Sequence, residues 1–149
     1  EKTADLFTFL PEIWVAFDKP RPIKCLFPLE KMSGYAVSLF KNCTTPDFMI
    51  ILLDISGCVI FQTKLFEGDI SLLEDYIHEI IEYVSVHHAA SVVCAHNRPE
   101  MFKAYNDDIW LINRLAFILK STGAPLRDHI IVNGSKYISF LLKNYLKTN

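Results

Sequence analysis

The sequence lacks an excess of basic residues, a long apolar run, closely spaced cysteines and any internal repeat or low-complexity tract. Its 15 Lys and Arg stand against 17 Asp and Glu, for a net charge of −2 and a pI near 6.2. Surfaces that bind nucleic acid show the opposite balance, so the charge gives no support to such a partner. The apolar run at 49–53 is far shorter than the ~20 residues needed to span a bilayer, so no membrane role is expected. No basic start leads into an apolar stretch at the N-terminus, which argues against a signal peptide. The first residue is Glu, so the chain is expected to be a piece of something longer. No two of Cys25, Cys43, Cys58 and Cys94 have the Cys-x-x-Cys spacing of a zinc knuckle. They are expected to be buried free thiols of a cytoplasmic protein.

What is present is the composition of one globular domain. The 149 residues are 51% hydrophobic and 21% charged, enough for a proper core and too apolar for a disordered chain. Residues 1–32, broken by Pro11, Lys19-Pro20-Arg21-Pro22 and Pro28, are expected to form an arm or linker, and 33–149 the domain. Trp14 in the arm and Trp110 are expected in the core or at an interface.

Ser33 has the chemistry of an N-cap for a short helix over Tyr35–Lys41. Phe48–Leu53 and Val59–Phe66 flank Ser56-Gly57, which predicts a β-hairpin. Ser71 and Glu74 have capping-box spacing ahead of a helix over 71–87. His87 and His88 suit that helix's C-terminal end, and His78 is expected on its exposed side. A buried strand is expected at Ser91–Ala95, a helix at Asp108–Lys120 stopped by Gly123, and a strand at His129–Val132. An Asn133-Gly134 turn then leads to a return strand at Lys136–Phe140 and a short last helix over Leu141–Lys147. Helices crossing between strands, mixed with hairpins, imply an α/β (α+β) domain with a mixed sheet flanked by helices.

The stretch that carries chemistry is Ser91–Ile109. A buried strand ends in His96-Asn97-Arg98-Pro99, and Asp107 and Asp108 follow at a helix start. Asp107 or Asp108 would serve that helix as N-cap or dipole partner. Phe102 and Tyr105, exposed on the intervening loop, would suit a protein or peptide contact.

His96-Asn97-Arg98-Pro99, Asp108-Ile109, Asp128-His129-Ile130-Ile131-Val132, Tyr137 and Ser139-Phe140 resemble the RadC-like branch of the JAB/MPN (JAMM) domains, over about 33–140. The resemblance implies the three-layer, cytidine-deaminase-like architecture of that family. It also implies a zinc site built from a His-x-His-Pro turn and a later Asp, with an oxyanion-stabilising Ser and a Glu acid/base on an early strand. Such a site has three protein ligands and an open position for water.

This chain departs from that pattern. His96 and Asp108 match the first and third ligands, but the second position is Arg98, which is always cationic and binds no metal. The spacing from turn to Asp108 is one residue short. Tyr105 stands at the Ser position, and Asp47 at the Glu position. The implied reading is a catalytically degenerate domain, without cofactor, that binds or scaffolds through protein contacts or self-association. Arg98 and Asn97 would be its binding residues. Arg98 would either be a solvated surface arginine or pair with Asp108 or Asp47 in place of the metal. Asp128-His129 is expected to serve the fold. The rival is a zinc-dependent JAMM-type metallopeptidase with an atypical site using His96, Asp108 and Asp47. A third reading is a purely structural domain attached to whatever precedes it. The resemblance also links the chain, weakly, to bacterial DNA repair or mobile elements.

Overall fold

A computed structural model of the chain describes Cys25 and residues 29–100 and 102–147. Helix α1 (Leu29–Leu39) precedes a hairpin of β1 (Asp47–Leu53) and β2 (Val59–Glu67). A 3-10 helix (Ile70–Tyr76) leads into α2 (Ile77–His87), then β3 (Ser91–Asn97) and α3 (Asn106–Lys120). The hairpin of β4 (Leu126–Asn133) and β5 (Lys136–Ser139) follows. The strand order is β2-β1-β3-β4-β5, with β3 and β4 parallel and the other pairs antiparallel. The sheet is therefore mixed, as the alternation of helices and hairpins predicts.

Alternation along the central strands builds three layers. Phe48, Ile50 and Leu52 of β1, Val92 and Cys94 of β3 and Ile131 of β4 face one side, where they pack with Leu73, Ile80, Ile112, Leu115 and Leu119. Ile51, Leu53, Val93, Ala95, Ile130 and Val132 face the other, against Met32, Ala36 and Phe40. Because both faces are covered, β1 is apolar from Phe48 to Leu53 and β3 from Val92 to Ala95. The spacing of Ile112, Leu115 and Leu119 marks the stripe of α3 that meets the sheet. Asp108 continues that stripe one turn earlier, and so the helix carries a carboxylate into the interior.

Several local expectations are corrected. Residues 29–32 open α1 instead of ending an arm, and Ser33, expected as its N-cap, is buried within the helix. The remaining arm, Trp14 included, lies outside the described residues apart from Cys25. The helix over 71–87 begins as a 3-10 turn capped by Asp69, whose carboxylate accepts the Ser71 N–H at 3.0 Å. Asp69 reaches that N–H in a short Asx turn, so Ser71 and Glu74 form no capping box, and Glu74 pairs with Arg114 at 2.7 Å. Leu141–Lys147 forms turns, not a helix. Asn113 of α3 donates to the Tyr145 carbonyl at 2.8 Å and accepts the Lys147 N–H at 2.7 Å, an N–H that a helix would turn back to the Lys143 carbonyl. Trp110 is 61% exposed, outside the core, with the Arg114 guanidinium 5.8 Å from its ring centre.

The cysteine expectation also changes. Cys25 and Cys58 face each other across an isolated antiparallel bridge and form a disulfide. Cys43 is a free but exposed thiol, and only Cys94 is both free and buried. Nothing in the spacing of these cysteines announced the pair, because the contact joins segments 33 residues apart.

Candidate functional site

The C-terminal end of β3, the N-terminal turn of α3 and the 3-10 cap meet around a cleft of about 490 Å³, lined among others by Asp69, His96, Asn97, Arg98, Tyr105 and Asp108. Two anchors hold the turn after β3. The Arg98 N–H donates to the Val132 carbonyl at 2.8 Å, and the Asn133 side chain donates to the Arg98 carbonyl at 2.8 Å. Asn97 ties the preceding loop to β3: its amide donates to the Thr45 carbonyl at 2.7 Å, and its oxygen accepts the Asp47 N–H at 2.6 Å. Asn97 thus serves the frame of the cleft, with both ends of its side chain engaged.

Arg98 lies along the cleft and grips Asp108 with two parallel hydrogen bonds, Nη1 to Oδ2 at 2.7 Å and Nη2 to Oδ1 at 3.0 Å. Nη1 also donates to the Lys103 carbonyl at 2.5 Å, Asp69 Oδ1 lies 4.0 Å from Nη2, and the Tyr105 ring centre is 5.0 Å away. Burial opposes the Arg98 charge, but the hydrogen bonds and charge of Asp108, helped by Asp69 and Tyr105, hold its pKa above the ordinary value. Asp108 also accepts the Tyr105 N–H at 2.8 Å, so Tyr105 occupies the N-cap position of α3 and Asp108 the N3 position. Neither Asp107 nor Asp108 is the N-cap itself.

Beneath Arg98, His96 and His129 form a buried pair. In the parallel register His96 lies opposite Ile131 and Cys94 opposite His129. His96 Nδ1 and His129 Nε2 are 2.8 Å apart. Phe48 stacks beside both rings, with centroids 6.1 and 5.6 Å away. Burial, then the charge of Arg98, pushes His96 down to about 4. Burial, with His96 and Arg98, pushes His129 well below the ordinary value. Both rings are therefore neutral at neutral pH, each with one N–H proton, and one of those protons lies in the hydrogen bond between them. Their outer nitrogens, His96 Nε2 and His129 Nδ1, are buried without a hydrogen-bond partner. His129 escaped the reading of the sequence as a site residue. A parallel pairing of the two strands would have revealed it, since it faces the same side of the sheet as His96.

Asp47 is not part of this group. Its neighbour Phe48 packs with the core layer behind His96, and Asp47 does not line the cleft. The acid/base position of the family pattern thus lies outside the lining that holds His96 and Asp108, although its backbone N–H reaches Asn97. Asp128, buried at the base of β4, accepts from Ser139 Oγ at 2.5 Å and from the backbone N–H groups of His129 and Leu141. It binds the last hairpin to the sheet, and burial raises its pKa against those hydrogen bonds.

The zinc that the family pattern implies does not fit these residues. Both Asp108 oxygens are committed to Arg98 and the Tyr105 N–H. The second ligand position holds a guanidinium, which supplies no lone pair and opposes a metal charge. Among the described residues no three His, Cys, Asp or Glu side chains gather as metal ligands.

A three-layer α/β domain with a His-Asn-Arg-Pro turn and an Asp at the next helix start defines the class. The family model for the RadC-like JAB domain matches residues 29–145, and the chain belongs to that family. It is 31% identical over 118 residues to a UPF0758 protein of Geobacillus kaustophilus, covering 78% of this chain and 52% of the relative. It is 27% identical over 113 residues to a UPF0758 protein of Vibrio atlanticus (75% and 50%) and 31% identical over 99 residues to one of Listeria innocua (66% and 44%). The chain spans about half the length of these curated relatives.

Proposed function

We propose that this domain is a catalytically degenerate RadC-like JAB module that binds or scaffolds and has lost zinc hydrolysis. The observation that carries the reading is the two-pronged Arg98–Asp108 pair, in which the residue at a ligand position supplies the positive charge that a metal would supply. A guanidinium keeps the buried carboxylate compensated without any metal. The cleft above it stays open, and Phe102, 38% exposed on its loop, offers an apolar contact for a protein partner. No helix among the described residues is long and apolar enough to cross a membrane. The curated relatives are bacterial, and a cytoplasmic setting is part of the proposal. The Cys25–Cys58 bond is the observation against that setting, since reducing compartments keep thiols free.

The rival is a zinc-dependent metallopeptidase with an atypical site. Metal analysis of protein purified without added metal separates the two. The degenerate reading expects zinc far below one equivalent, and one equivalent overturns it. The combined variant Arg98→His, Tyr105→Ser, Asp47→Glu, assayed for zinc uptake, tests whether the fold still frames a metal site.

A further inference from the structure

Resting on the scaffold reading above, we propose that the outer face of the helical layer binds a second copy of this chain, with α2 of each copy lying along α3 of the other. The 3-10 turn with α2 and the helix α3 cover the same side of the sheet, and Glu74 and Arg114 join them. Ile80 and Val84 of α2 and Ile112, Leu115 and Leu119 of α3 are buried in that layer. The positions half a turn away form the outer face. On α3 that face carries Trp110 and, two turns later, Phe117, which are 61% and 80% exposed. Large apolar side chains grouped on one open face mark a contact surface.

The aromatics alone would not name the occupant, but the charges do. From Ile70 to His87 the chain has four carboxylates, Glu74, Asp75, Glu79 and Glu82, and no Lys or Arg. From Ile109 to Lys120 it has Arg114 and Lys120 and no carboxylate. Asp75, Glu79 and Glu82 are exposed and make no ion pair among the described residues. The same holds for Lys120 and Lys147, which with Phe117 and Leu126 help to line a groove of about 370 Å³ beside α3. The two halves of the layer are therefore of opposite sign, and each keeps unpaired charge. A uniformly acidic partner would fit the basic half only and be repelled by the other. A second copy offers both signs.

The direction of the helices makes the match close on itself. Ile70 and Asp108 both line the cleft, so the 3-10 turn and α3 start at the same end of the sheet. The two helices then lead into β3 and β4, whose first residues pair as Val92 and Leu126 at the other end. A two-fold axis parallel to the helices and between them places α2 of one copy over α3 of its partner, and the reverse. Every acidic–basic contact is then made twice, and assembly stops at two copies. Val86, exposed near the end of α2, comes toward the end of α3 that carries Phe117.

Sedimentation equilibrium of the 149-residue protein tests this. The expected result is a reversible monomer–dimer equilibrium that weakens as salt is raised. Two charge-reversed proteins decide the geometry, Glu79→Lys with Glu82→Lys and Lys120→Glu with Lys147→Glu. All four positions are exposed and unpaired, so both proteins fold, which circular dichroism checks. Each reversed protein alone should dimerise roughly tenfold more weakly or worse, and mixing the two should restore affinity to within about threefold. In the mixed dimer the reversed α2 meets the reversed α3 face, and the two unaltered faces meet each other. A protein that stays monomeric up to about 1 mM overturns the inference, whether Leu6–Phe17 of the same chain covers this face or nothing does. A dimer that the reversals leave unchanged, or that mixing does not rescue, overturns it as well. A monomer with zinc far below one equivalent leaves the degenerate-module reading intact, whereas one equivalent of zinc overturns that reading whether or not the chain dimerises.

Discussion

Replacing Arg98 with Ala should destabilise the domain by about 3 kcal/mol, far more than a surface arginine would. The side chains of Arg98 and Asp108 are 13% and 4% exposed, so the pair sits mostly out of water. Removing one partner of a buried pair leaves an uncompensated charge and costs on the order of 3–5 kcal/mol. Asp108 would keep only the Tyr105 N–H, and Asp69, now without the guanidinium between them, would add repulsion. Water entering through the cleft would soften the loss, which places the value near the lower bound. Asp108→Asn keeps an acceptor for the Tyr105 N–H while removing the charge. Combined with Arg98→Ala it should recover most of the stability, giving a coupling energy above roughly 1.5 kcal/mol. Urea unfolding of the four proteins of this cycle, followed by circular dichroism, measures both quantities. A loss below about 0.5 kcal/mol for Arg98→Ala, the range of ordinary surface sites, would refute the ion pair, as would additive effects in the cycle.

Three further outcomes follow from the same structure. The folded pKa of His96, about 4, lies below its ordinary value of 6.5, so the unfolded chain takes up a proton first as pH falls. Stability should therefore be full above pH 6.5 and decline toward pH 4, by roughly 3 kcal/mol from this residue, with His129 acting in the same direction. Urea midpoints that stay flat across that window would contradict a neutral buried pair. Asn97→Ala strands the Asp47 N–H and the Thr45 carbonyl and should cost about 2 kcal/mol, with faster hydrogen exchange at the Asp47 amide; unchanged exchange would show that Asn97 does not hold the loop. Reduction of the Cys25–Cys58 bond opens a loop spanning 33 residues and should cost on the order of 3–4 kcal/mol of chain-entropy stabilisation. Titration of four thiols in protein prepared without reductant would show that the bond does not form.

Much of the frame was legible because it depends on local patterns. The hairpin turns were marked by Gly57 and Gly134, whose φ angles are +81° and +59°, conformations that favour glycine. The apolar runs of β1 and β3 announced strands covered on both faces. The stripe of α3 was readable from spacing, although not that Asp108 belongs to it. Less visible were features in which distant groups compete for the same backbone atoms. Asp69 displaced Ser71 as the cap, and Asn113 took the Lys147 N–H that a last helix needed.

The candidate site divides along the same line. The amino-acid sequence by itself determined that a buried strand ends at His96, that a cation follows two residues later at a ligand position of the family pattern, and that an acid opens the next helix. These are matters of residue type and of spacing along one segment. Only the tertiary structure decided that Arg98 turns inward onto Asp108, that Asp47 stays out of the cleft and that His129 comes beside His96. Each depends on strand pairing across tens of residues. A strand's alternation shows which residues share a face, but only the pairing of strands shows which of them meet.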